Sequence, residues 1–181
     1  MQKFDIKELT IVSLCAALMA VFSQIAIPLP SGVPITLQPF AVVLIGVILE
    51  QKLGTISLLI FLLLGAIGLP VYANFSAGLS ALIGPTGGFL SGFLFMVFII
   101  GLFAKSKSKK LIFIGAYLGL FLDYVIGVLQ LSIVLNVSIP EALAIGCYPY
   151  IIKDLLLTAV AVIIGLKIKP IITKDLKKNI T

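Results

Sequence analysis

The chain has 181 residues, 61% of them hydrophobic and 11% charged, with a mean hydropathy of +1.27. Too few polar residues remain to coat a water-soluble domain of this size, so its solvent is lipid and its class is integral membrane protein. The formal charge is +6 and every basic residue is Lys; the lysines stand scattered between apolar runs with no recognition motif, which excludes nucleic-acid binding and leaves them as a topology signal.

Cutting the apolar runs at Pro, Gly and Lys gives six spans, at about 8–27, 35–50, 54–69, 85–104, 110–135 and 149–168. All belong to one transmembrane domain covering 1–181. The segment before the first span has no small-residue cleavage pattern, so no removable signal peptide is expected. Within the first span, Ala16 and Ala20 form a small-xxx-small ridge for close helix contact. The second and third spans are short, close to the ~17-residue spanning minimum. "EQKLG" (50–54) separates them. The fourth opens with "IGPTGGFLSGFLF" (83–95), where Gly84, Gly88 and Gly92 recur at four-residue spacing. They make a packing groove, while Thr86, Gly87 and Gly88 at the helix start could also turn backbone N–H groups toward a ligand. With no Lys and Ser/Thr in the required frame, this is not a phosphate-binding loop.

The segments between spans alternate in character. Residues 28–34, 70–84 and 136–148 contain no Lys, whereas 1–7, 50–54, 104–110 and 167–179 hold twelve of the thirteen. Positive residues stay on the cytoplasmic side, so both termini are expected inside. The exception is Lys153 in "YPYIIKDLLL" (148–157). Counted from the inner end of its helix it lies roughly 21 Å up, and Asp123 in the fifth span lies roughly 20 Å up, at 1.5 Å per residue. In a hydrocarbon slab of ~30 Å, Lys153, Asp154 and Asp123 therefore share one level in the outer half. Asn74 and Tyr72, in the longest outer segment, can fold down to it. A Lys–Asp staple between helices is the plainer alternative, but buried pairs stabilise poorly because desolvation offsets their attraction. Ionisable groups inside a membrane point instead to a ligand site. Pro149 marks a helix start whose dipole adds positive potential, so the site favours an anion.

Catalysis has no support: there is no His and no nucleophile–base set, which argues against an enzyme, including one acting on lipids. Cys15 and Cys147 are isolated, giving no disulfide framework, and no metal or cofactor is expected. No ATP-binding signature is present either, so energy for uphill movement must come from elsewhere.

The segments "IPLPSGVPITLQPFAVVLIGVIL", "LLLGAIGLPVYANFSAGLSALIGPTGGFLSGF" and "CYPYIIKDLL" resemble the BioY family over about residues 9–168. Those proteins are biotin-specific S components of energy-coupling factor (ECF) transporters. The resemblance implies a six-helix S-component fold in a prokaryotic plasma membrane, with an occluded biotin pocket on the outer side. It also implies a transmembrane coupling protein and two cytoplasmic ATPase subunits as partners, with Ala16 and Ala20 docking on the coupling protein. The family's pocket ending usually reads P-F-x-x-G-D-x-x-K. Here Asp154 is kept, Lys153 replaces the Gly, and Leu157 replaces the Lys. Positions 153 and 157 lie one turn apart on the same face, so the long stem of Lys153 reaches much the same volume. On this reading Lys153 pairs the valerate carboxylate of biotin, or balances Asp154 until the ligand arrives. Asp123, Asn74 and Asp154 bond its ureido ring, and Tyr72, Phe89 and Tyr124 form apolar walls. Gln38, in "ITLQPF", lines the mouth or serves a helix start. An S component for another small vitamin, or an unrelated small secondary transporter, are the alternatives.

Overall fold

A computed structural model describes residues 5–177; Lys3 and Lys178 of the lysine pattern lie outside the described residues. The chain runs as helix α1 (Ile6–Gln24), a two-stranded hairpin of β1 (Ala26–Ile27) and β2 (Ile35–Thr36), then helices α2 (Gln38–Ala66) and α3 (Leu79–Ile83). It continues through α4 (Gly87–Ala104), α5 (Lys109–Leu135), α6 (Ile139–Gly146) and α7 (Tyr148–Lys177). Long apolar runs become helices because hydrocarbon offers no partner for a backbone N–H or C=O, and a helix satisfies both internally. Among the described residues five helices, α1, α2, α4, α5 and α7, are long and apolar enough to cross a membrane. Large apolar side chains such as Phe121, Ile133, Ile152 and Leu156 point outward from the last two, as a surface bathed in lipid requires.

The expected second and third spans appear as the single assigned helix α2, but Glu50 interrupts it with φ +59° and ψ −167°. The chain reverses there. A Cβ on Gly54 would lie 3.7 Å from the Cα of Gly46, whereas a straight helix would separate positions eight apart by about 12 Å. The two halves therefore lie side by side. The reversal is held by Lys169 of α7, whose Nζ pairs with Glu50 Oε1 at 2.8 Å and donates to the carbonyl of Ala104. Its backbone nests on Gly101 of α4, where any Cβ would meet Gln51 N at 2.3 Å.

Helix α4 is the centre of the bundle, packed on α5 along one side and α2 along the other. Its glycines set the approach to α5: Cβ atoms at Gly88 and Gly92 would collide with Ile126 O and Asp123 Oδ1 at 2.7 and 2.3 Å. The core beside them is filled by Met19, Val42, Phe61, Met96 and Ile100.

Several boundaries differ from the hydropathy reading. The first span stops at Gln24 and the second starts at Gln38, because Ala26–Ile27 pair antiparallel with Ile35–Thr36. Two-residue strands carry no period to read. The last helix continues through Pro170 to Lys177 instead of stopping at 168. The 136–148 segment holds α6, started by Ser138, whose N–H and hydroxyl both donate to Glu141 Oε2 at 2.8 and 2.7 Å. The S-x-x-E signature of that capping box is present in the sequence. Of the Ala16/Ala20 ridge, Ala16 is 2% exposed in the core, while Ala20 is partly buried and packs against that core.

Candidate functional site

The 25–37 hairpin, the 67–78 loop and neighbouring parts of α2, α4, α5 and α7 surround a cavity of about 270 Å³. That lies near the lower end of the usual range for small-molecule sites, roughly 300–1,000 Å³, which selects a compact ligand. The three charges expected at one depth stand together on its wall. Asp123 and Tyr124 project from α5, and Lys153 and Asp154 from the second turn of α7. Lys153 Nζ lies 2.7 Å from Asp154 Oδ1 and donates to the carbonyl of Thr36 on β2. Oδ1 has no hydrogen-bond partner among the described residues, so that contact is an ion pair alone. Tyr124 Oη donates to Asp154 Oδ2 at 2.6 Å. Asp154 thus carries a cation on one oxygen and a hydroxyl on the other.

Asp123 has no such company. It is 2% exposed, its Oδ1 finds no hydrogen-bond partner among the described residues, and it presses on Gly92. A buried carboxyl left unpartnered is costly, and a ligand bearing N–H groups would satisfy it. Lys153 keeps a quarter of its side chain exposed and leans over the same space. The cavity therefore offers an ammonium for an anion, acceptors for N–H donors, and apolar surface from Val33, Pro34, Phe89, Leu90 and Phe93.

Of the residues singled out in the sequence, Gln38, Tyr72, Asn74, Thr86, Phe89, Asp123, Tyr124, Lys153 and Asp154 line this cavity. Gly87 and Gly88 do not. Both are buried where α4 meets the 82–84 turn and α5, with Gln130 Nε2 bonding the carbonyls of Leu82 and Gly84 beside them. Gln38 also bonds outside the cavity. It is the first residue of α2, and its Nε2 donates to Ser23 Oγ at 3.0 Å while the side chain borders the cavity. Phe89 stands edge-on to Tyr124 with ring centroids 6.3 Å apart. Tyr72 presents its ring, but its hydroxyl turns away to the Leu62 carbonyl at 2.6 Å.

Sequence reasoning missed Tyr150, whose Oη donates to the carbonyl of Val33 at 2.6 Å. It also missed Thr36, which meets Lys153. Tyr150 was legible in principle: on a helix it shares a face with Lys153 and Asp154, three and four residues on.

The model of the BioY family matches residues 1–174. The chain belongs to the BioY family. It is 39% identical over 164 residues to a protein of Thermotoga maritima named biotin transporter BioY, covering 90% of this chain and 96% of that one. It is 40% identical over 159 residues to a probable biotin transporter BioY of Pyrococcus horikoshii, covering 88% and 94%. Among solved structures, the S-component for biotin from an ECF-type ABC transporter superposes with a TM-score of 0.83 at 30% identity, covering 91% of this chain and 92% of that one. BioY proteins are multi-pass plasma-membrane transport components, not enzymes.

Proposed function

We propose that this chain is the biotin-capturing S component of an ECF transporter. It takes biotin from the outer side and passes it inward together with a membrane coupling protein and two cytoplasmic ATPase subunits. The observation that carries the reading is the cavity itself: a half-buried ammonium and a buried, unpartnered carboxyl border one apolar space of about 270 Å³. Lys153 pairs the valerate carboxylate of biotin. Asp123, Asn74 and Asp154 accept or donate to the ureido ring, and Phe89, Tyr124 and the ring of Tyr72 pack on its apolar faces. Biotin combines one anion, a donor–acceptor urea and a hydrocarbon body, and so matches each wall.

On this reading α2 crosses twice, once on each side of Glu50, for six crossings in all, with both termini in the cytoplasm; the reversal at Glu50 and the lysine alternation support it. Binding of labelled biotin to the purified protein, challenged with thiamine, riboflavin and unlabelled biotin, tests the assignment. Only unlabelled biotin should displace the label; displacement by another vitamin at equal concentration would reassign the substrate.

A further inference from the structure

Four residues of the cavity wall, Tyr72, Ala73, Asn74 and Ser76, come from one irregular loop. Its base is anchored to α2. The Tyr72 hydroxyl bonds Leu62 O, the ring covers Gly65, and the Gly78 N–H donates to Gly65 O at 2.7 Å. Its tip is in a less comfortable state. Asn74 and Phe75 are both left-handed, each with φ +56°, and Phe75 is 71% exposed. Two successive non-glycine residues in that region persist only where their surroundings hold them.

The holder comes from α1. Gln24, the last residue of that helix, reaches into the loop with both ends of its carboxamide. Its Nε2 donates to the carbonyls of Val71 and Tyr72 at 3.2 and 3.1 Å, as well as to Ala20 O one turn back at 3.4 Å. Its Oε1 accepts the N–H of Phe75 at 3.0 Å. Carbonyl partners on one side and an N–H on the other fix which end of the amide is which. Gln24 does not border the cavity, yet it grips the chain on both sides of Asn74.

We infer that Gln24 is a positioning residue for ligand binding: it holds the 71–75 turn in its left-handed form so that Asn74 stands at the cavity mouth. This rests on the biotin-binding reading above. Without the carboxamide, Phe75 N–H and two carbonyls lose their partner, the turn relaxes toward ordinary right-handed conformations, and Asn74 swings away. Gln24→Leu keeps the bulk and removes all three cross-loop bonds; Gln24→Glu removes the donated two.

The test has two arms on the full-length protein in detergent. In the first, biotin affinity is measured for the wild type, Gln24→Leu, Gln24→Glu, Asn74→Ala and the Gln24→Leu/Asn74→Ala pair. Each Gln24 variant should bind about tenfold more weakly. The double variant should bind no worse than Asn74→Ala alone, because Gln24 acts through Asn74. Wild-type affinity in both Gln24 variants, or losses that simply add, would overturn the inference. The second arm needs no ligand: chymotrypsin should cut after the exposed Phe75 several times faster in Gln24→Leu than in the wild type. Equal cleavage would overturn the inference even if biotin binds. Faster cleavage in a protein that never binds biotin would uphold the clamp and fail the substrate assignment.

Discussion

Replacing Lys153 by Met keeps the stem and removes the charge. The full Coulomb attraction of a dry ion pair is the wrong measure of the loss, because the ammonium is a quarter exposed and already offset by Asp154 at 2.7 Å. What the ligand gains is a charge-assisted hydrogen bond, about 1.5–3 kcal/mol. At about 1.4 kcal/mol per factor of ten, that is roughly 10- to 150-fold in Kd. Isothermal titration in detergent with biotin and with its neutral carboxamide separates the carboxylate from the rest of the ligand. Lys153→Met should weaken biotin by that factor and leave the carboxamide as it is in the wild type. Unchanged biotin affinity, or an equal loss for both ligands, would refute the idea that this ammonium meets the anion.

Three further outcomes follow from the packing. In Gly65→Ala the new Cβ would sit 2.1 Å from the buried ring of Tyr72; thermal unfolding should show a loss of about 1–3 kcal/mol, and biotin binding should weaken as the loop is pushed outward. At Glu50 the backbone costs about 1–3 kcal/mol in a region suited to Gly. The partly exposed pair with Lys169 returns about 1 kcal/mol at most. Glu50→Gly should therefore unfold at a higher temperature than Glu50→Ala, and the reverse order would show that the turn is not strained. Ala16→Leu should destabilise by about 1–3 kcal/mol through overpacking, whereas Ala17→Leu, on the exposed side of α1, should leave unfolding unchanged.

Hydropathy located the long helices because a bilayer demands long apolar segments. It could not see that Glu50 would make its turn without glycine, since a strained residue looks like any other in the sequence. The charges of the site were legible for a similar reason: in a chain with so few ionisable residues, Lys153, Asp154 and Asp123 at one depth are conspicuous. Residues whose role comes from shape were less so. Gly87 and Gly88 offered both a groove and a nest of N–H groups, and only the position of α5 shows that packing claims them. Ala16 and Ala20 announced a close contact without saying with whom. Thr36 contributes a backbone carbonyl to Lys153, and Gln24 acts across 47 to 51 residues of chain; neither leaves a local pattern.

The most direct measurement is native mass spectrometry of the protein purified from cells without added ligand and released from its micelle. One biotin bound per chain is the result this account requires. A chain that carries a different small molecule, and does not exchange it for biotin when biotin is supplied, would contradict it.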